Sequence, residues 1–248
     1  MDYIKGVKCT AIVLAAGVGK RMKSDVPKQF MLLEGKPLLY YSLHTFQESF
    51  IQDIIVVTGK EEIEYCRHEI VEKYHFSKVR KIVAGGKERY HSVYQGLNAI
   101  EECDYVYIHD GARPFVEQRM LTDGLEVVDT MGACVIAVKA KDTIKLSDDK
   151  GIVKETPDRD YVWQVQTPQI FRYDEIKKAH ELVMERDDIH ITDDAFVYEC
   201  AFHKPIQLVM GSYENIKITT PEDMDIAQVF LRRKKRNEAL KPFDIKKK

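Results

Sequence analysis

At 248 residues, 44% hydrophobic and 31% charged, the chain is long enough for one large α/β domain or two small ones, and nothing in its composition suggests disorder. Five scattered cysteines (Cys9, Cys66, Cys103, Cys134, Cys200) with no C-x-x-C pair argue against a disulfide framework or a zinc site and for a reducing compartment. No apolar run approaches the ~20 residues of a membrane span, the N-terminus MDYIKGVK lacks the apolar core of a signal peptide, and a cytoplasmic protein is expected.

In chain order, residues 8–14 (KCTAIVL) read as a buried parallel strand. The strand runs into AAGVGKRM, which fits neither common phosphate motif. The dinucleotide fingerprint needs a third glycine where Met22 stands, and the P-loop needs Gly at Leu14 and Ser or Thr at Arg21. A strand ending in small residues and glycine still brings bare backbone N–H groups toward a ligand. Arg21 and Lys28 add cationic reach, and Pro27 restricts the backbone just before Lys28. Alone, this stretch reads more simply as a βα turn with solvated charges.

Helical patterns follow at 38–48, 60–74, 88–101 and 116–130, alternating with strands at 53–58 (DIIVVT), 79–83, 104–109 (DYVYIH) and 133–138 (CVIAVK). The rhythm predicts an α/β protein with a mostly parallel sheet covered by helices on both faces and ligands at the carboxyl ends of the strands. Residues 139–160 read as two short strands around the turn signal SDDKG, a hairpin with little core of its own. NIKITT, carrying Lys217, also reads as a strand. Near the end, DMDIAQVFL has helical spacing and leads into a basic tail, 231–248. Its RRKKR reads as the solvated, dipole-favoured end of a last helix, without the aromatic interleaving that stacks bases.

The chemistry should lie in the loops after the strands. Besides LAAGVGKRM there is GGKERYHSV, with Gly85 and Gly86 for close approach and Arg89 and Ser92 at a helix start. HDGARP adds Asp110, a strand-tip carboxylate able to accept from ribose hydroxyls or hold a metal. The eight histidines show no metal-ligand spacing, and no Ser/His/Asp or Cys/His arrangement is evident.

LAAGVGKRM with PKQF, then GGKERYHSV, HDGARP, VKAKDTIK, TPDR, QTPQIF, ITDDA and NIKITTPEDM follow one another in this order. In these motifs and their intervals the chain, from Lys8 to Phe230, resembles the 2-C-methyl-D-erythritol 4-phosphate cytidylyltransferase family of the non-mevalonate isoprenoid pathway. The resemblance implies a Rossmann-like nucleotidyltransferase fold, one domain over 1–248, with 139–160 as a β-arm clasping a second subunit in a homodimer with shared active sites. It implies attack by the 4-phosphate of methylerythritol phosphate on the α-phosphorus of CTP. It also implies Mg²⁺ held mainly by the CTP phosphates, no protein-only metal site, and neither nucleic acid nor membrane as partner.

Residue by residue, the resemblance assigns Arg21, Lys28 and Lys217 to the triphosphate and the transition-state charge, with Gly17 and Gly19 in the backbone cradle. Ala15, Ala16, Gly86 and Ser92 surround the cytosine, and Asp110 and Gly111 meet the ribose. Thr143 and Arg159 contact the methylerythritol phosphate of the neighbouring subunit, and Thr167 and Thr192 are supporting hydroxyls. The threonines equally suit turn or capping roles, Thr192 as a helix N-cap before DDA. The sequence departs from the family's pattern at Leu14, where proline is common, and at Lys87, where an acid is frequent. Two alternatives stay open: a relative using ribitol 5-phosphate, and a non-catalytic nucleotide-binding protein of the same fold. LAAG and KDTIK argue against the first; retention of Arg21, Lys28 and Lys217 argues against the second.

Overall fold

The computed structural model describes residues 6–17, 19–22, 24, 26–184, 186 and 191–239. In chain order the strands are β1 (Cys9–Ala15), β2 (Leu32–Leu33), β3 (Lys36–Pro37), β4 (Asp53–Thr58), β5 (Val79–Ala84), β6 (Tyr105–Asp110), β7 (Ala133–Lys139), β8 (Leu146–Ser147), β9 (Val153–Glu155), β10 (Trp163–Arg172) and β11 (Gln207–Met210). The helices are α1 (Leu38–Gln47), α2 (Ile63–Tyr65), α3 (Arg89–Ala99), α4 (Gln118–Met131), α5 (Tyr173–Met184), α6 (Asp194–Phe202) and α7 (Pro221–Ala239). Past Tyr65 the helix widens into a π-helical stretch over Cys66–Glu72 that turns Cys66 and Ile70 into the core.

Seven strands form one sheet in the order β11-β7-β10-β6-β1-β4-β5. β1 runs parallel to β4 and β6, β4 to β5, and β7 to β11; β10 is antiparallel to both its neighbours. The apolar run of β1 is explained by burial on both faces. Ala11 and Val13 pack with Leu39, Leu43 and Phe46 of α1, while Ile12 packs with Val93 and Leu97 of α3. The register pairs Leu14 with Asp110, Ala15 with Thr58, and Thr58 with Ala84. The carboxyl ends of four parallel strands therefore share one edge, and the loops after β1, β5 and β6 meet there.

The alternating strands and helices expected from the sequence are present to within a few residues. β10 has no counterpart among the expected strands, and its Pro168 and three glutamines (Gln164, Gln166, Gln169) are unusual in a central strand. The proline is accommodated at a register shift between Val165 and Gln169 in the pairing with β7. NIKITT is a correction: residues 216–219 form no strand, and the segment is fixed by the Ile218 N–H donating to the Ala112 carbonyl at 2.9 Å. The hairpin of 139–160 is present as β8 and β9, exposed throughout. RRKKR lies within α7, where Arg232 and Lys235 pair with Glu34 and Arg233 pairs with Glu214. The remainder of the basic tail, 240–248, lies outside the described residues.

A buried clip holds the tip of β6. The Asp110 N–H donates to the Thr167 hydroxyl at 3.0 Å, so the hydroxyl's own proton is directed to His109 Nδ1 at 3.0 Å. That leaves His109 Nε2–H to donate to the Arg113 carbonyl at 3.1 Å. His109 is fully buried, and burial pushes its pKa from 6.5 down to about 4. The unfolded chain takes up this proton below pH 6.5 while the folded chain refuses it until about pH 4. Stability should therefore fall by about 3 kcal/mol between those limits on account of this residue. Denaturant titrations across that window should show His109→Gln with a lower stability at pH 7 and a flatter pH dependence. An unchanged slope would mean that another group carries the effect.

Candidate active site

The loop after β1 turns at Gly19, whose φ is +63° and whose added Cβ would stand 2.8 Å from Lys28 Cβ. Only glycine meets both demands, and the turn seats the chain directly against Lys28. Lys28 opens a short 3-10 helix, Lys28–Phe30, entered from Pro27 and anchored by the buried Gln29 and Phe30. The Phe30 ring packs edge-on to Tyr65 at 4.9 Å. Lys28 is thus held by structure on either side of it, as Pro27 suggested. Burial lowers its pKa, and the neighbouring positive charges of Lys217 and Arg21 lower it further.

The loop after β5 is held by Ser92. Its hydroxyl accepts from the Gly86 N–H at 3.0 Å and donates to the Glu88 carbonyl at 3.2 Å. Glu88 and His91 cap the start of α3 reciprocally. A Cβ on Gly85 would meet Ala16 Cβ at 2.6 Å, and one on Gly86 would meet His91 Cβ at 2.4 Å. Glycine is therefore required where the loops after β1 and β5 touch. Between them lies a cavity of about 260 Å³ lined by, among others, Ala15, Ala16, Gly17, Lys28, Gly86, Ser92, Asp110 and Lys217.

Asp110 ends β6 at the floor of this cavity. Its Oδ1 lies 3.2 Å from Arg89 Nε and its Oδ2 lies 2.8 Å from Lys217 Nζ. Burial would raise the carboxyl's pKa, but the two cations outweigh it and hold the group well below the usual carboxylate range. Arg89 reaches onward to Asp194 Oδ2 at 2.7 Å. Burial opposes its charge, yet the two carboxylates hold it even more firmly protonated than a free arginine.

A second cavity of about 250 Å³ adjoins the first, and Arg89, Asp110 and Lys217 line both. Thr192 and Thr167 line the second, as do Arg113 and Gln169. The Thr167 hydroxyl is committed to the clip on β6, and Thr167 is 4% exposed. The N-cap of α6 is Asp193, which accepts from the Phe196 N–H at 2.9 Å, so Thr192 is not the capping residue. Arg113 donates to the Asn215 carbonyl at 2.8 Å and thereby braces the segment that carries Lys217.

Of the residues singled out from sequence, Ala15, Ala16, Gly17, Lys28, Gly86, Ser92, Asp110 and Lys217 meet at the first cavity, with Arg21 near enough to act on Lys28. Gly111 packs away from it: its N–H donates to the Leu14 carbonyl at 2.8 Å, and Ala112 lines the wall instead. Thr143 and Arg159 line neither cavity; both are exposed on the hairpin segment, where Arg159 donates to the Lys141 carbonyl at 3.2 Å. Asp194 was missed, although a second acid after Asp193 ahead of an apolar helix is a signal, since Asp193 alone suffices as the cap. Arg89 was noticed at a helix start, but not as the bridge between two acids. Among the described residues no group of three or more His, Cys, Asp or Glu stands close enough to hold a metal, and no helix is long and apolar enough to cross a membrane.

Comparison with known proteins matches this arrangement to one family. The sequence profile of 2-C-methyl-D-erythritol 4-phosphate cytidylyltransferase fits residues 9–233. The protein of that name from Lachnoclostridium phytofermentans is 51% identical over 225 residues, spanning 91% of this chain and 97% of its own. That from Lachnospira eligens is 52% identical, spanning 90% and 99%. Among solved structures, the 4-diphosphocytidyl-2C-methyl-D-erythritol synthase of Anaerococcus prevotii superposes with a TM-score of 0.83 at 34% identity, over 94% of this chain and all of its own. The Francisella tularensis 2-C-methyl-D-erythritol 4-phosphate cytidylyltransferase gives 0.75 at 32% identity, over 90% and 99%. The chain belongs to the 2-C-methyl-D-erythritol 4-phosphate cytidylyltransferase family.

Proposed function

We infer that this chain transfers the cytidylyl group of CTP to 2-C-methyl-D-erythritol 4-phosphate, releasing pyrophosphate, in cytoplasmic non-mevalonate isoprenoid synthesis. The observation that carries the reading is the shared wall: Arg89, Asp110 and Lys217 separate a cavity rimmed by small residues and Lys28 from a second one rimmed by Thr192 and Arg113. Two anionic substrates placed on either side would meet at that wall. An oxygen of the acceptor phosphate bonds to the α-phosphorus, and the bond from that phosphorus to the bridging oxygen of pyrophosphate breaks. A phosphate monoester is already an anionic nucleophile, so no side chain need remove a proton. Cations that gather and stabilise the charge suffice, and Lys28, Lys217 and Arg21 fill that role. Ala15, Ala16 and Gly86, with little side chain to intrude, leave room for a pyrimidine. The direct test is pyrophosphate release from each of the four nucleoside triphosphates, with methylerythritol phosphate or ribitol 5-phosphate as acceptor.

Mg²⁺ is the expected cofactor, carried by the triphosphate, where it would neutralise charge on the phosphate oxygens. The residues fit that arrangement: Asp110 is an ionised carboxylate on the cavity wall, able to receive the ion's hydration shell, and a full cage is not needed. The second subunit of a homodimer is the cover we assign to the hairpin. Leu146, Ile152, Val153 and Tyr161 there are 49%, 63%, 54% and 83% exposed. Strands of two and three residues cannot stand unsupported with such a surface. Thr143 and Arg159 would then serve the neighbour's second cavity.

Lys28→Ala should lower kcat on the order of 100- to 1,000-fold, like removal of one transition-state donor, with the preference for CTP retained. A weaker KM alone would reduce Lys28 to ordinary binding. Because burial and its cationic neighbours hold Lys28 below 10.5, CTP affinity should decline with rising pH earlier than a free lysine would dictate. Lys28→Arg should move that decline upward. Chelation should abolish turnover, and Mg²⁺ restore it, with the thermal midpoint unchanged; unfolding on chelation would reveal a structural metal instead. For the shared site, Arg21→Ala and Arg159→Ala should each be inactive alone, while their co-expressed hybrid has one intact site. Random pairing then recovers roughly a quarter of wild-type sites. Verified hybrids without recovery would place Arg159 on its own subunit's site or in the structure of the arm.

A further inference from the structure

Behind the shared wall the line of charges runs on to one member that the proposed chemistry does not use. Asp194, at the first turn of α6, is completely buried, which is unusual for an acid and costly unless the charge is paired. One of its oxygens takes Arg89 Nη1 at 2.7 Å; the other has no hydrogen-bond donor and faces His180 Nε2 of α5 at 3.4 Å. Gln169 of β10 fastens the backbone here, its Oε1 accepting from the N–H groups of Asp194 and Ala195 at 3.0 and 2.9 Å. The backbone beneath the carboxylate is thus anchored, and the carboxylate is aimed at Arg89. From Asp194 the signs alternate through Arg89 and Asp110 to Lys217, and every link is 3.2 Å or shorter.

We propose that Asp194 is a positioning residue for cytidylyl transfer: by holding Arg89 at one end, it keeps Asp110 shared between Arg89 and Lys217, and so sets where Lys217 stands when the two substrates meet. The physical reason lies in how a guanidinium divides its donors. Arg89 now gives Nη1 to Asp194 and Nε to Asp110, leaving Asp110 Oδ2 free to seat Lys217. Without a charge at position 194, Arg89 would be free to turn its whole fork onto Asp110, because a two-pronged pair is the stronger geometry. Lys217 would then lose its seat. Arg89 and Asp110 line both cavities, whereas Asp194 lines neither, so its influence must pass through them.

This inference rests on the cytidylyltransferase reading, and a double-mutant cycle separates the two. In the wild-type protein with CTP and methylerythritol phosphate, absence of transfer would remove the functional reading itself. Given transfer, Asp194→Asn, which preserves shape and removes charge, should lower kcat on the order of 10- to 100-fold, the scale of an ångström's misplacement. Lys217→Gln should lower it as well, and the double variant should be little worse than Lys217→Gln alone. Independent, multiplying effects, or an unaltered kcat in Asp194→Asn, would overturn the proposal, since a purely structural residue would cost the same factor whether or not Lys217 is present. Arg89→Lys guards against failure of Asp194→Asn to fold. It keeps the charge but cannot reach both acids, and it should show the same lack of additivity with Lys217→Gln.

Discussion

Asp110 is the constraint on which the rest of the site depends. A carboxylate whose side chain is 11% exposed at a strand tip costs several kcal/mol to desolvate, and persists as an anion only if cations repay it in good geometry. Here two do, one from α3 and one from the segment between β11 and α7, elements far apart in sequence and joined at this one group. Because β6 is fixed by β1 on one side and β10 on the other, and its tip is clipped by Thr167 and His109, the anion cannot drift. The two cations, which line both cavities, inherit that rigidity.

Lys28 is the complement of this arrangement. Arg89 and Lys217 each have a carboxylate, but among the described residues Lys28 has no ion pair, and it stands near two other positive groups while half-buried. Its pKa is lowered first by burial and then by Lys217 and Arg21, against the opposing pull of Asp110 and Asp223, which leaves an incompletely balanced positive charge. A triphosphate would relieve it, and a transition state with more charge on its bridging and non-bridging oxygens would relieve it further. That is the condition for binding energy to appear as rate.

How much of this was legible depends on whether the signal was local. Strand period, glycine pairs and the Pro27–Lys28 step are local, so β1, β4, β5, β6 and β7 and the loops that meet at the first cavity could be read directly, while the roles of its lining residues came only from the ordered motifs. β10 could not, because its proline and glutamines oppose strand character and only the pairing on both sides, with a register shift at Pro168, makes it central. Lys217 was identified by motif, yet its segment is an irregular stretch between β11 and α7 held by Ile218 and Arg113, which no periodicity encodes. Asp194 and Arg89 lie 105 residues apart; each has a bland local reading, as cap neighbour and helix-start charge. Only their meeting in the interior distinguishes them.

The departure from parallel topology explains how one fold comes to have two adjoining cavities. The parallel strands β1, β5 and β6 deliver the loops of the first cavity, as the carboxyl ends of parallel strands generally do. The second cavity needs a wall on the far side of Asp110, where a further parallel strand would bring its own loop and helix. β10 instead enters antiparallel from the hairpin segment and lays Gln166, Thr167 and Gln169 beside the tip of β6. The same strand supplies the hydroxyl that clips His109 and the amide that fastens the start of α6. A single antiparallel insertion thus lines the second cavity, stiffens the floor of the first, and holds Asp194 where it can reach Arg89. The polar residues that made β10 unreadable as a strand are the ones that do this.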